Sequence, residues 1–265
     1  MTIYFLGGGN MAAAIAGGLV KQGGYHIHIA NRSAEKRARL AAELGVTVSE
    51  RLPELNEHDV LILAVKPQDM QTACAQLSTQ GALVLSVAAG LSIQTLSHYL
   101  GGTQRIIRIM PNTPSQVGLG IAGIYAPPHI SIADQQQAEA IMRTTGEVVW
   151  LHDEQQIHSI TGISGSGPAY VFYLLNALQQ AALNQGFTEQ QARQLSLNTF
   201  KGAVALAEQS GEPFSDLQQK VTSKGGTTHE AIQTFNVHQV AQAIQAGVEA
   251  CVARSQAIAQ QFETH

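Results

Sequence analysis

Hydrophobic residues in the first 150 positions recur in short runs, and longer segments with helical periodicity separate these runs. The runs predict strands at 2–6, 25–30, 59–65, 82–87, 104–109, 119–125 and 146–150. The run at 59–65 is apolar almost throughout, as is typical of a parallel strand covered on both faces. Helices are predicted at 10–22 and 33–44, and another resumes at about Gln68. This alternation predicts a doubly wound parallel sheet that binds ligands at the carboxyl ends of its strands.

After Trp150 the pattern becomes helical. The predicted helices cover about 154–161, 168–186, 188–209, 213–222, 227–235 and 237–262. Pro168 suits a first helical turn, Gly186 suits a helix end, and Thr188 suits the cap of the next helix. We therefore predict an α/β chain with two domains, a nucleotide-binding domain over 1–152 and an all-helical domain over 153–265.

The helical half carries more apolar surface than a short domain can bury by itself. The helix predicted at 168–186 has an apolar face of Val171, Leu174, Leu175, Leu178, Ala181 and Ala182. Such a face is usually covered by a second subunit. The sequence therefore predicts a homo-oligomer formed through the C-terminal helices.

A glycine turn joins the first predicted strand to the first helix in a Gly-x-Gly-x-x-Ala arrangement. Gly7 permits a tight turn, Gly9 lets a pyrophosphate approach the backbone, and Ala12 allows close helix packing. The helix N-terminus offers amide hydrogens and a positive dipole end to phosphates. We predict a dinucleotide site here, with contacts from Leu6, Gly7, Gly8, Gly9, Asn10 and Met11.

The end of the second strand indicates which dinucleotide binds. NAD-binding folds place a carboxylate there on the ribose 2′-hydroxyl, whereas this chain has Asn31, Arg32 and Ser33. Arg32 can pair with a 2′-phosphate, and Asn31 and Ser33 can add neutral donors. The alternative is that Arg32 is a solvated residue at the start of the next helix. The position favours NADPH, with NADH also possible.

Three later loops follow successive strands at the same predicted edge of the sheet. Each offers small or polar groups that a nucleotide can contact. The predicted cofactor contacts in these loops are Ala64, Val65, Lys66, Pro67, Ala88, Ala89, Gly90 and Asn112.

Composition excludes several other classes of protein. The 265-residue chain has a net charge of −4 and no dense basic run, so neither nucleic acid nor an anionic membrane is an expected partner. No segment has the length of a membrane span, and a strand that begins within the first three residues leaves no room for a signal peptide, which predicts a cytoplasmic protein. Cys74 and Cys251 are too few and too far apart for a disulfide framework. The ten histidines are scattered without ligand spacing, so no metal site is predicted.

A second glycine turn, at 221–230, opens a C-terminal helix. The amides of Gly226, Thr227 and Thr228 can converge on an anion such as a carboxylate, with help from the helix dipole. The alternative is a plain helix start in which Thr227 is the capping residue and Glu230 completes a capping box. The two interpretations are compatible.

Taken together, these segments resemble the delta-1-pyrroline-5-carboxylate reductase family along the whole chain. The resemblance lies in the N-terminal Gly-x-Gly-Asn-Met-Ala, in 64–68, 108–114 and 165–170, and in a C-terminal signature over 213–235. The chain departs from the family at Lys224, where many members have proline, at Thr227, where some have alanine, and at Lys220, where some have asparagine. An acidic residue near Glu212 does not align and is not assigned a role.

The resemblance implies a Rossmann-like domain followed by an all-α dimerisation domain. It also implies NAD(P)H-dependent reduction of L-1-pyrroline-5-carboxylate to L-proline, the final step of proline biosynthesis. Thr228 would then be the catalytic residue, through a hydrogen bond to the ring nitrogen. Ser223 and the amides around Gly226, Thr227 and Thr228 would hold the substrate carboxylate. A protonated imine is already an electron sink, which agrees with the lack of an obvious general acid in these loops.

Two other functions stay open at this point. A related two-domain reductase, such as a β-hydroxyacid dehydrogenase, should need a catalytic lysine on the first long C-terminal helix, and 168–186 contains no lysine. A non-enzymatic NADP(H)-sensing protein would bind the cofactor without turning over any imine.

Overall fold

A computed structural model describes residues 1–263. By contacts between α-carbons, the chain divides into two compact units. The first comprises residues 1–166 and the C-terminal stretch from Ala250 onward, and the second comprises Gly167–Glu249. The division therefore falls after Ser166, whereas the sequence pattern changes after Trp150. The predicted boundary between residues 152 and 153 stays a prediction.

The first unit contains one sheet and the helices that cover it. Its strands are β1 (Thr2–Leu6), β2 (His26–Ala30), β3 (Thr47–Ser49), β4 (Val60–Leu63), β5 (Leu83–Ser86), β6 (Ile106–Met110), β7 (Gly120–Tyr125) and β8 (Gly146–Trp150). Its helices are α1 (Asn10–Gln22), α2 (Ala34–Leu44), α3 (Pro67–Cys74), α4 (Ile93–Tyr99), α5 (Ile132–Arg143) and α6 (Gln156–Ile160). A 3₁₀ turn covers Thr113–Val117, and a π-helical turn covers Thr161–Gly165.

The strand order is β3-β2-β1-β4-β5-β6-β7-β8. The order reverses between β1 and β4, and this switch point is where doubly wound sheets bind ligands. The predicted doubly wound parallel sheet is confirmed, with one exception: β7 runs antiparallel to β6. Only residues 111–119 join these two strands, and a parallel crossover needs a dozen or more residues.

Side chains alternate between two apolar layers, one on each face of the sheet. On one face, Phe5 and Ile62 pack with Ile15 of α1 and Ile141 of α5. On the other face, Leu61 and Val84 pack with residues of α3 and α4, such as Met70 and Leu96. All four residues of both β4 and β5 are buried, which explains why these strands are apolar without interruption.

The second unit consists of helices, and the capping predicted for one of them is confirmed. It contains α7 (Gly167–Asn184), α8 (Glu189–Ser210), α9 (Phe214–Lys220), α10 (Thr227–Val237) and the first part of α11 (Val240–Glu263). Thr188 caps α8 in a capping box with Gln191. Within this described unit, α7 has no buried residue, and the side chains of Phe172 and Tyr173 are exposed.

The last part of α11 belongs to the first unit. Ser255 Oγ lies 2.8 Å from His158 Nδ1, Ile258 lies against Gly90, and Phe262 packs on the apolar layer formed with α3 and α4. This stretch of helix is therefore tied to the sheet-containing unit by both polar and apolar contacts. No helix within residues 1–263 is long and apolar enough to cross a membrane.

Candidate active site

The carboxyl ends of β1 and β4 meet at Gly7. This residue has a φ of +106°, and a Cβ atom placed on it would lie 2.5 Å from the carbonyl oxygen of Ala64. The Gly7 amide donates to the carbonyl oxygen of Ala30 at 2.9 Å, and the Ala64 amide donates to that of Leu6 at 2.9 Å. Gly7 therefore ties together the ends of three strands at the switch point, in a conformation that favours glycine.

The N-terminus of α1 is open beside this turn. Gly9 is the N-cap and provides no side-chain cap, and a Cβ atom on it would meet nothing within 4 Å. The amides of the first turn, which includes Asn10 and Met11, therefore have no side-chain acceptor from the cap. A Cβ atom on Gly8, by contrast, would lie 2.8 Å from Leu40 Cδ1, so glycine at this position leaves room for the Leu40 side chain of α2. The open N-terminus fits the pyrophosphate of a dinucleotide.

The turn between β2 and α2 has a backbone that is held by side chains. Asn31 Oδ1 accepts a hydrogen bond from the Ser33 amide at 2.8 Å, and Ser33 Oγ caps α2 by accepting from the Lys36 amide at 3.3 Å. Arg37 Nη1 donates to the carbonyl oxygens of Asn31 at 2.6 Å and Arg32 at 3.1 Å. Sequence reasoning missed Arg37, although a second arginine five positions after Arg32 is visible in the sequence.

The Arg32 side chain extends into solvent and forms an ion pair with Asp69. It is 86% exposed, and its Nη2 lies 3.5 Å from Oδ2 of Asp69. Asp69 lies in the first turn of α3. The N-cap of this helix is the exposed Lys66, and its first residue is Pro67. The ionic partner of Arg32 is therefore a residue of α3. Sequence reasoning missed it because the two residues are far apart along the chain.

The remaining predicted cofactor loops are mostly held by internal contacts. Val65 is half-buried, Ala88 is buried, and the Ala88 amide donates to Ser86 Oγ at 3.4 Å. Ala89 is half-buried, and Gly90 has a φ of +75° with its α-carbon facing Ile258. These residues form a close-packed surface at the end of β5.

Asn112 is bound at both ends of its side chain. Its Nδ2 donates to the carbonyl oxygen of Ser164 at 3.1 Å, and its Oδ1 accepts from the Ile121 amide at 3.0 Å. The residue is 7% exposed. It therefore ties the end of β6 to β7 and to the π-helical turn, and its predicted contact with the cofactor stays a prediction.

A buried polar cluster lies where β6 meets α6. Glu154 Oε1 accepts from Arg108 Nη1 at 2.8 Å and from the Ile93 amide at 2.7 Å. Burial lowers the pKa of the Arg108 guanidinium. Burial also lowers the pKa of His158, with a further contribution from the charge of Arg108. The cluster fixes the start of α6 against the sheet, and sequence reasoning did not identify it.

In the second unit, the predicted substrate residues form one tight turn before α10. The Gly226 amide donates to the carbonyl oxygen of Ser223 at 3.0 Å, and Gly225 has a φ of +70°. A Cβ atom on Gly226 would come within 2.4 Å of Ser223 Oγ, so a larger residue there would displace the Ser223 hydroxyl. The structure therefore brings Ser223, Gly226, Thr227 and Thr228 together.

The alternative interpretation of this helix start, a capping box begun by Thr227, is wrong. Gly226 is the N-cap and makes no side-chain cap bond, whereas Thr227 is the first residue of α10. The first-turn amides of α10 consequently have no acceptor from a capping side chain, which favours the anion-binding interpretation. Thr228 is exposed, and its hydroxyl makes no hydrogen bond within residues 1–263. Nearby, Lys220 pairs with Glu212, the acidic residue that was left without a role.

Comparison with known proteins identifies the family. Residues 154–258 match the family model for pyrroline-5-carboxylate reductase dimerisation, and residues 2–90 match the model for NADP oxidoreductase, coenzyme F420-dependent. The pyrroline-5-carboxylate reductase of Vibrio alginolyticus is 38% identical over 267 residues, which cover 98% of this chain and 98% of that protein. The chain belongs to the pyrroline-5-carboxylate reductase family.

Solved structures agree with this assignment. A pyrroline-5-carboxylate reductase from Coxiella burnetii is 37% identical and superposes with a TM-score of 0.88, over 97% of this chain and 98% of that one. The Plasmodium falciparum pyrroline carboxylate reductase, solved with NADP bound, has a TM-score of 0.85 over 98% of each chain. At 24% identity, the latter shows a shared fold only. The resemblance predicted from the sequence motifs, and the two-part fold that it implied, are confirmed.

Proposed function

We propose that this member of the pyrroline-5-carboxylate reductase family reduces L-1-pyrroline-5-carboxylate to L-proline with a nicotinamide cofactor, as the final step of proline biosynthesis. The observation that carries the proposal is the turn from Ser223 to Thr228. A glycine caps the helix there, so no side chain within residues 1–263 occupies the first-turn amides or the Thr228 hydroxyl. Such a turn suits a small substrate that carries a carboxylate and a ring nitrogen.

We assign the cofactor to the first unit, and NADPH is the preferred form. The residues at the switch point fit a dinucleotide, because Gly9 leaves open space beside the N-terminus of α1. Arg32 is exposed, and its guanidinium can pair with a 2′-phosphate in place of Asp69. Leu6 to Met11 and the loops after β4 and β5 would hold the rest of the molecule. When bound, the cofactor supplies the hydride.

We assign substrate binding to the second unit. The Ser223 hydroxyl and the amides of Gly226, Thr227 and Thr228 would hold the carboxylate, with the dipole of α10 adding to the attraction. The Thr228 hydroxyl would contact the ring nitrogen as it changes from iminium to amine. Orientation by these groups is most of what the reaction requires, since the protonated imine is already electrophilic.

We further propose that the functional protein is a homodimer formed through the helical unit. The apolar face predicted on α7 is exposed at Val171, Leu174 and Leu178. A contiguous apolar surface of this kind is normally covered by another subunit. The matched family model is itself a dimerisation domain. The cytoplasmic location stays a prediction from the sequence.

The activity is tested by following NADPH oxidation with pyrroline-5-carboxylate as substrate, and by repeating the assay with NADH. We expect turnover with both cofactors and a higher kcat/KM with NADPH. NADPH oxidation that requires a carbonyl compound related to a β-hydroxyacid, in place of the imine, would identify the alternative reductase. That reductase should need a catalytic lysine, and α7 contains none. Tight NADPH binding without turnover of the imine would identify a sensor. Either result contradicts the proposal.

A further inference from the structure

The ion pair between Arg32 and Asp69 joins two elements at the predicted ribose end of the cofactor site. Arg32 follows β2, and Asp69 lies in the first turn of α3, which follows β4. The distance between Nη2 and Oδ2 is 3.5 Å, and the side chains are 86% and 41% exposed. The pair therefore lies in solvent, where a competing anion can reach it.

The backbone beneath Arg32 is held independently of this pair. Arg37 donates to the carbonyl oxygens of Asn31 and Arg32, and Asn31 Oδ1 accepts from the Ser33 amide. Losing Asp69 therefore leaves the turn in place and frees only the guanidinium of Arg32. When a phosphate replaces Asp69 as the partner of Arg32, only the Arg32 side chain has to move, and the backbone stays in place.

We propose that Asp69 sets the choice between NADPH and NADH, because its carboxylate holds Arg32 when no 2′-phosphate is present. This inference rests on the proposed function. A 2′-phosphate has to displace the carboxylate from Arg32, and this competition reduces the advantage of NADPH. A ribose with a free 2′-hydroxyl leaves the ion pair intact. Asp69 is therefore a specificity-determining residue that lowers the preference for the phosphorylated cofactor.

The direct test measures binding of adenosine 2′,5′-bisphosphate and adenosine 5′-monophosphate to the full-length protein by calorimetry. In Asp69→Asn, the bisphosphate should bind about two- to fivefold more tightly, which is the scale of one exposed ion pair. The monophosphate should bind as it does to the unchanged protein. The ratio of KM for NADH to KM for NADPH should rise by the same factor. Unchanged or weaker bisphosphate binding in Asp69→Asn would overturn the proposal.

A double-mutant cycle separates competition for Arg32 from simple charge repulsion by Asp69. In an Arg32→Ala background, the Asp69→Asn change should have no effect on bisphosphate binding beyond that of a control. Glu35→Gln is the matched control, since Glu35 is an exposed carboxylate in the first turn of α2. An effect of Asp69→Asn that persists without Arg32, and exceeds the control, would show that the carboxylate acts directly on the phosphate and would overturn the proposal.

The binding measurement is independent of the catalytic assay. If pyrroline-5-carboxylate is not turned over but the cycle gives the expected coupling, the proposed reaction fails, and the competition between Asp69 and a 2′-phosphate for Arg32 is still established. If turnover is found and the cycle gives no coupling, the inference fails alone.

Discussion

A Cβ atom on Gly7 would lie 2.5 Å from the carbonyl oxygen of Ala64. This approach joins the carboxyl ends of β1 and β4, where the strand order reverses. The backbone of Gly7 also has a φ of +106°, which other residues rarely adopt. The same residue therefore shapes the sheet and the turn that leads into the proposed cofactor site.

Gly7→Ala should destabilise the protein by roughly 1–3 kcal/mol or more, because it adds backbone strain and a clash with the main chain. Urea denaturation measures the free energy of unfolding. Gly9→Ala is the matched comparison, because its Cβ atom would stand in open space. We expect Gly9→Ala to fold with nearly unchanged stability and to bind NADPH more weakly, as measured by fluorescence titration. Unchanged stability in Gly7→Ala would contradict the structural role of this glycine.

Thr228→Ala should lower kcat by roughly ten- to a thousandfold, the scale of one catalytic polar contact. The substrate carboxylate would still be held by backbone amides, and NADPH affinity should not change, since the proposed cofactor residues lie in the other unit. Thr228→Ser keeps the hydroxyl and should recover much of the rate.

Thr227→Ala is the control for this experiment. Thr227 is the first residue of α10 and not its cap, so its loss removes neither the proposed amide donor nor a capping bond. We expect a mild effect on kcat. Near-normal turnover in Thr228→Ala would show that the polar contact to the ring nitrogen comes from another residue.

The dimer prediction is tested by sedimentation at decreasing protein concentration. The exposed apolar side chains of α7 should keep the protein dimeric, and no folded monomer should accumulate before the protein loses structure. A stable and active monomer would contradict the proposed interface.

The ion pair of Asp134 and Arg105 predicts loss of stability in acid. Arg105 Nε and Nη2 donate to the carboxylate at 3.0 and 2.6 Å, and these hydrogen bonds, opposed by burial, lower the pKa of Asp134. A lowered pKa in the folded state adds stability above the unfolded-state pKa, and this stability is lost as the pH falls through the folded-state value.

Asp134→Asn should therefore cost about 1–3 kcal/mol near neutral pH. The difference from the unchanged protein should shrink below about pH 4, as Asp134 itself takes up a proton. Urea titrations at a series of pH values measure this. Glu43→Gln removes a more exposed ion pair with Arg39 and should change stability little. A pH-independent cost for Asp134→Asn would show that the charge of Asp134 is unimportant.

The sequence predicted the parts of the fold that depend on local pattern. The apolar runs identified β1, β2 and β4 to β8 to within about two residues, and the helix predicted at 10–22 is α1. The strand at Thr47–Ser49 was missed, because three residues are too few to show a period. The direction of β7 was missed because apolar alternation is the same in parallel and antiparallel strands.

The candidate site shows the same division between local and distant features. The glycine turn at Gly7 and Gly9 is a local motif and was visible in the sequence. The partner of Arg32 was not, because Asp69 reaches it from another helix through the order of strands in the sheet. The cap at Gly226 was also missed, since a threonine followed three positions later by glutamate looks like a capping box. The backbone adopts a turn that places the cap one residue earlier.

The most direct test of the account supplies NADPH that carries deuterium at both positions of nicotinamide C4, together with pyrroline-5-carboxylate, and analyses the product by mass spectrometry. Direct hydride transfer to the imine carbon predicts L-proline that carries a single deuterium at C5, in an amount equal to the NADPH oxidised. The absence of proline, or proline formed without deuterium, would contradict the proposed reaction.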